Sequence, residues 1–231
     1  MAKQLIKPLA IIIIAAIAGF GGGIAALYYS AGKIPFDIKN SKPPIQLVEH
    51  QEIKIQENKA AKDAIQKISG VLVLVKNNSA KTSGTGLVLA SDGILVLTYD
   101  LFPPGATVEI FVNSQKTAFQ VIKRDKAKNL TLVKTESANL TTAGFCQMEN
   151  LKIGERIILA GTLASGDNFA NEGVVRNFNA NLISTNILEK SQAQGAAAFD
   201  VEGNILGIAA VDKFGWVNLI PIWAIKSFAG L

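Results

Sequence analysis

The sequence predicts an all-β domain, a barrel or a sandwich, carried behind one N-terminal transmembrane helix. Three observations predict it: an uncharged apolar run near the N-terminus, about eleven short β-rich runs after Gly70, and no helix-length amphipathic segment between those runs. The 231 residues are 49% hydrophobic and only 18% charged. Such a chain can bury a core, and its length suits one domain of about 150 residues with extensions rather than two large ones.

Pro8 to Tyr29, PLAIIIIAAIAGFGGGIAALYY, carries no charge. At about 1.5 Å per residue it would span roughly 33 Å as a helix, against a hydrocarbon core of about 30 Å. A secretory signal has a shorter apolar core, and Ala16-Ile17-Ala18 fits its cleavage pattern only by cutting inside the run, so an uncleaved anchor is preferred. Lys3 and Lys7 precede the run. By the positive-inside rule the N-terminus is then cytoplasmic and the bulk of this single-pass chain extracytoplasmic, in the cell envelope. Residues 1–29 therefore read as a cytoplasmic stub and membrane anchor. Gly19 and Gly23, with Gly22 and Ala26, form a small-residue face through which two anchors can associate into a homo-oligomer; a Gly-rich helix that packs on nothing is the equal alternative.

Residues 30–58, with Pro35, Pro43, Pro44 and frequent charges, read as an extracytoplasmic tether. His50, the only histidine, falls in it. A domain over 59–231 follows. Glu57 to Ile68 opens it as a short amphipathic helix, because Ala61, Ala64, Ile65 and Ile68 recur at helical spacing. Strands follow at Val71–Lys76, Gly86–Ala90, Ile94–Thr98, Thr107–Val112, Phe119–Arg124, Leu130–Lys134, Arg156–Ala160, Gly173–Asn177, Ala196–Phe199, Ile205–Val211 and Trp216–Ile220. Each is a β-branched or apolar run bounded by Gly, Asn, Asp or Pro. Ala90-Ser91-Asp92-Gly93 and Val201-Glu202-Gly203-Asn204 are turns with glycine where a positive φ is cheap. Pro221 hands over to a closing helix at Ile222–Phe228.

Several function classes drop out on composition. One cysteine, Cys146, makes no intramolecular disulfide, and with a single histidine the usual Cys/His zinc sites are excluded, so no metal and no cofactor is expected. The net charge of +5 includes Lys3 and Lys7, ahead of any domain, and does not favour nucleic acid. Cys146 reads as a small packed residue before a reactive thiol. The run from Lys123 to Lys128 reads as a solvated loop before an anion site. Phe214, Trp216 and Trp223 read as core before a peptide groove.

Four blocks in the β-rich part carry a resemblance. Ser83 to Phe102 (SGTGLVLASDGILVLTYDLF) has a Gly-Thr-Gly strand, a DG hairpin and a strand running to Asp100; NLTLVKT spans Asn129 to Thr135, LKIGERIILAG spans Leu151 to Gly161, and QAQGAAAFDVEGNILGI spans Gln192 to Ile208. In order and spacing they resemble HtrA/Deg-type trypsin-like serine proteases: a Gly-Ser/Thr-Gly strand, a strand ending in Thr-Asn-x-His-Val, an Asp-Leu-Ala-Val-Leu-Lys strand, an Ile-Gly-Asp strand and Gly-Asn-Ser-Gly-Gly-Ala-Leu. The resemblance covers about 69–228 and implies a trypsin-like double β-barrel with a short C-terminal helix. The family often continues into a PDZ domain, and no such stretch is expected here.

The resemblance places the family's histidine on Asp100, its aspartate on Asn129, its nucleophilic serine on Gln194 and an oxyanion-hole glycine on Gln192. A triad needs a hydroxyl nucleophile, an imidazole base and a carboxylate that supports the imidazolium. An amide, a weakly basic carboxylate and a neutral amide supply none of these roles. The expectation is a pseudoprotease with no catalytic residues. Asp100 and Gln194 are expected to meet across the old cleft as a passive polar contact. A rebuilt site would need Ser191 with Lys190 or Lys213. The leading functional expectation is a membrane-anchored, catalytically inactive HtrA-like module that binds a protein or peptide partner and regulates it; the alternatives are an active serine endopeptidase with a rebuilt site, or an envelope spacer or oligomerisation module.

Overall fold

The structure is a computed structural model and describes residues 6–31 and 62–231. The chain divides into two units, Met1–Glu49 and His50–Leu231. In the first, α1 spans Ile6–Ala31, with its side chains described over 15–30, where Ile17, Phe20, Ile24 and Leu27 are exposed. Among the described residues no helix is long and apolar enough to cross a membrane; the predicted span begins at Pro8, ahead of the described side chains. The predicted tether, with His50, and the first turn of the helix expected from Glu57 lie outside the described residues.

The second unit opens with a helix, α2, over 62–69, whose Ala64 and Ile68 are buried one turn apart, on the face expected from the sequence. Its seven next strands form one sheet: β1 Leu72–Asn77, β2 Thr82–Ala90, β3 Ile94–Thr98, β4 Val108–Val112, β5 Gln115–Thr117, β6 Phe119–Asp125 and β7 Leu130–Thr135. The strand order is β5-β4-β1-β2-β3-β7-β6. β5 and β6 stand at opposite edges, yet only Ala118 separates them in the chain. The sheet must therefore curl until its edges approach, and Glu136 N–H donates to the Ala118 carbonyl at 3.1 Å at that seam.

The remaining strands are β8 Arg156–Thr162, β9 Asn168–Phe178, β10 Ile183–Leu188, β11 Ala197–Phe199, β12 Ile205–Val211 and β13 Trp216–Pro221, followed by helix α3, Ile222–Ala229. They close as β10-β13-β12-β11-β8-β9. The domain is the all-β trypsin-like double barrel with a short C-terminal helix that the resemblance implied. Gly93 and Gly203 take φ of +99° and +87° in the two predicted turns.

Two strands have no counterpart in the sequence reading. β5 is three polar residues held only because Asn113 and Ser114, at φ +49° and +63°, reverse the chain tightly after β4. β10 does alternate, but its middle inward position is Thr185, whose hydroxyl donates to the Val217 carbonyl at 2.7 Å and so enters the core satisfied. Two other expectations are corrected. Phe214 and Trp216 are 73% and 38% exposed, not core, because Asp212 Oδ1 accepts the N–H groups of both and folds them into a protruding hairpin. In the basic run, 126–128 form the expected exposed turn, but Lys123 and Arg124 end β6, as the predicted strand had it, and are not free of contacts: Lys123 Nζ reaches the Phe228 carbonyl and ring, and the Arg124 guanidinium stacks 4.5 Å from the Phe102 ring.

The barrels meet at Thr85, which is fully buried. Its N–H donates to the Gln194 carbonyl at 3.0 Å, and its hydroxyl oxygen accepts the Thr162 N–H at 2.8 Å. Two glycines allow this approach. A side chain on Gly161 would press on Thr85 Oγ1 and the Phe169 ring, and one on Gly195, already at φ +78°, would fall on the Thr85 carbonyl. Thr85→Val is expected to leave the Thr162 N–H buried and unpaired, lowering stability by about 1–3 kcal/mol in denaturant unfolding, and Gly195→Ala is expected to cost more. Unchanged unfolding midpoints in both would show that this junction does not hold the barrels.

Candidate functional site

Each resemblance-derived position can be placed. Asp100 follows β3, where Tyr99 N–H donates to the Asn129 main-chain carbonyl at 3.1 Å. Asn129 precedes β7 in the left-handed region, φ +53°, a conformation that asparagine tolerates better than most residues. Its side chain then faces Asp100 reciprocally: Asn129 Oδ1 accepts the Asp100 N–H at 3.0 Å, and Asn129 Nδ2 donates to Asp100 Oδ2 at 2.9 Å. The two polar groups satisfy each other. Asp100 is exposed and carries no imidazole to orient.

Gln194 is engaged at every group but one. It follows a single 3-10 turn, Ser191–Ala193, and its N–H donates to the Ser191 carbonyl at 3.1 Å. An oxyanion hole needs that N–H aimed at solvent-free space where charge develops, not returned into the turn. Gln192 lies in the turn and is exposed. The Gln194 carbonyl is held by Thr85, and its Oε1 accepts the Val211 N–H at 2.8 Å. Asp100 and Gln194, expected to touch, are not hydrogen-bonded to each other among the described residues; each has a partner in its own barrel instead.

The rebuilt-site residues do not assemble either. Ser191, Lys190 and Lys213 are all exposed, and Lys213 Nζ sits 4.9 Å from the Phe214 ring, so neither lysine has the burial that a neutral catalytic amine requires. Among the described residues no three His, Cys, Asp or Glu side chains gather around a possible metal position. The Cys146 thiol is half-buried, and burial first, then the charges of Asp200, Glu155 and Glu202, push it up to about 11.

Beside the Asp100–Asn129 pair lies a cavity of about 690 Å³ that sequence reading missed. Asn129, Leu130, Leu182, Ala210, Ile220 and Trp223 line it, bringing together β7, β12, β13 and α3 with the turn before β10. Trp223 spans this junction, half-buried, with its indole N–H on the Ala180 carbonyl at 2.8 Å. No motif marks the cavity, because its walls are mostly alanines and aliphatics from distant segments.

The sequence profile of the trypsin-like peptidase domain matches residues 84–208, from the Gly-Thr-Gly strand into β12. The chain belongs to that family. Among curated relatives it is 26% identical over 143 residues to "Anti-sigma-I factor RsgI9" of Acetivibrio thermocellus, covering 58% of this chain and 20% of that protein. It is 25% identical over 143 residues to "Probable periplasmic serine endoprotease DegP-like" of Pseudomonas putida strain F1, covering 58% of this chain and 30% of the relative. The trypsin-like chain thus spans less than a third of the length of these relatives. Among solved structures it is similar to the serine endoprotease from Yersinia pestis, with 16% identity and a TM-score of 0.67 over 74% of this chain and 65% of that one. It is also similar to Deg5, with 17% identity and a TM-score of 0.66 over 74% of this chain and 93% of that one. These structures share its fold.

Two outcomes follow from the geometry of this trypsin-like site. Asn129→Asp restores the family's residue type but sets a second carboxylate against Asp100, so one of the pair has its pKa raised in the folded state. Stability is then expected to approach the parent's at about pH 2, where both groups are largely protonated in either state, and to fall progressively below it as pH rises through about 4. Parallel thermal melts across that range check this; a constant difference would remove charge repulsion as the cause. Cys146, held as the thiol, is expected to alkylate with iodoacetamide at pH 8 far more slowly in the folded chain than in denaturant. Equal rates would contradict the burial.

Proposed function

We propose that this trypsin-like domain is catalytically inactive, is anchored in a membrane by residues 8–29 with its domain on the extracytoplasmic side, and binds extended peptides or proteins as a regulatory module of the cell envelope. The observation that carries the inactive reading is the double engagement of the old catalytic positions: Asp100 with Asn129, and Gln194 with Ser191 and Val211. Each polar group that chemistry would need is held by a neighbour. The exposed Ile17, Phe20, Ile24 and Leu27 of α1 support the anchor, since such a helix needs apolar surroundings. One relative is named as periplasmic and another as an anti-sigma factor, which supports an envelope location and a regulatory role.

The binding reading rests on the edge of β12. β11 pairs with it only from Ile205 to Ile208, and Ala209 is next paired with the Gly195-Ala196 segment through two hydrogen bonds. The main chain beyond, at Val211, is bonded by the Gln194 side chain on the edge away from β13. An extended peptide can add there by main-chain hydrogen bonds that do not depend on a triad. The full chain in detergent micelles is expected to leave fluorescein-labelled β-casein intact, and Gln194→Ser alone is expected not to restore cleavage, because no base stands at position 100. Hydrolysis that disappears in Ser191→Ala or Asp100→Ala would replace this reading with that of an active peptidase.

A further inference from the structure

Gln194 is fixed along its main chain at both ends, by Ser191 and by Thr85, and its neighbour Gly195 donates to the Ala209 carbonyl at 2.8 Å. Its side chain is the part that can move without disturbing the barrels. That side chain ends on the Val211 N–H, at 2.8 Å. On β12, Ala209 donates to Ala196 at 2.7 Å and Ala210 is paired with Asn218 of β13, so Val211 is the next main-chain donor on the edge away from β13. It is where the edge would first be open. A glutamine carboxamide has the same carbonyl and N–H chemistry as a peptide unit. Gln194 Oε1 thus stands where a main-chain carbonyl of an added strand would stand, and Gln194 Nε2 has no hydrogen-bond partner among the described residues.

We propose that the Gln194 side chain is an internal latch on this edge: it occupies the Val211 donor in the free domain and swings out when an extended peptide pairs with β12. The proposal rests on the peptide-binding reading above. Gln194 competes directly with the ligand for one donor. A neutral hydrogen bond of ordinary net strength corresponds to roughly a five-fold reduction in affinity. A carboxylate in the same place holds the N–H more strongly than an amide does.

The test uses the full chain in detergent micelles, with fluorescein-labelled β-casein as the unfolded probe and anisotropy as the readout. Gln194→Ala is expected to bind roughly five-fold more tightly than the parent, and Gln194→Glu more weakly. Amide hydrogen exchange read by NMR gives an arm that needs no ligand: in Gln194→Ala the Val211 amide is expected to exchange faster, while the Ala209 amide, bonded to Ala196, keeps its protection and shows the barrel intact. Unchanged Val211 exchange in Gln194→Ala overturns the latch by itself. Casein affinity equal to or weaker than the parent's in that variant overturns it too, and a weaker one makes Gln194 a ligand contact. Faster Val211 exchange with no casein binding by any variant overturns the peptide reading, and the latch falls with it.

Discussion

Thr85 sits where the two barrels meet, and its main chain and side chain face opposite partners. The N–H holds the Gln194 carbonyl and the hydroxyl oxygen holds the Thr162 N–H. Both bonds are buried, where an unmatched N–H is costly, so the relative placement of β2, β8 and the segment before β11 is set by hydrogen-bond satisfaction as much as by apolar packing. The short spacing needs glycine opposite, at Gly161 and Gly195. This gives the Gly-Thr-Gly strand and the glycine after Gln194 a structural role of their own. They hold the junction together whether or not a bond is ever cut.

The same economy of polar groups shapes the cleft. A working triad keeps its groups poised toward a substrate, which leaves them only partly satisfied in the free protein. Here Asp100 and Asn129 close on each other, the Gln194 N–H returns to Ser191, and its carboxamide caps Val211. Each of these side chains takes a local partner. The result is a largely satisfied hydrogen-bond network. The cavity beside Asn129 is made by the fold, with walls from β7, β12, β13 and α3.

On the proposed reading the domain would act through what it binds. The Val211 donor is already engaged by the Gln194 amide, so peptide binding there would exchange one carboxamide for another and keep the net gain small. A partner anchored in the same membrane would meet the domain at high effective concentration, which offsets modest affinity.

Much of the fold was legible in the sequence, because it is written locally. Period-2 apolar runs, turn glycines at Gly93 and Gly203, and Pro221 ahead of α3 fix elements through backbone sterics and burial that act within a few residues. β5 escaped because a turn made it, and β10 because Thr185 is buried with its hydroxyl bonded across the barrel. The resemblance also set Asp100, Asn129 and Gln194 at the family's triad positions from the sequence alone. What only the tertiary structure decided is which groups meet. Asp100 faces Asn129 rather than Gln194, Phe214 and Trp216 project outward, and the cavity beside Asn129 gathers walls from β7, β12, β13 and α3. The physical reason is that hydrogen bonds and packing contacts pair whatever the fold brings within about 3–4 Å, and residues far apart in the chain carry no local signal of that distance.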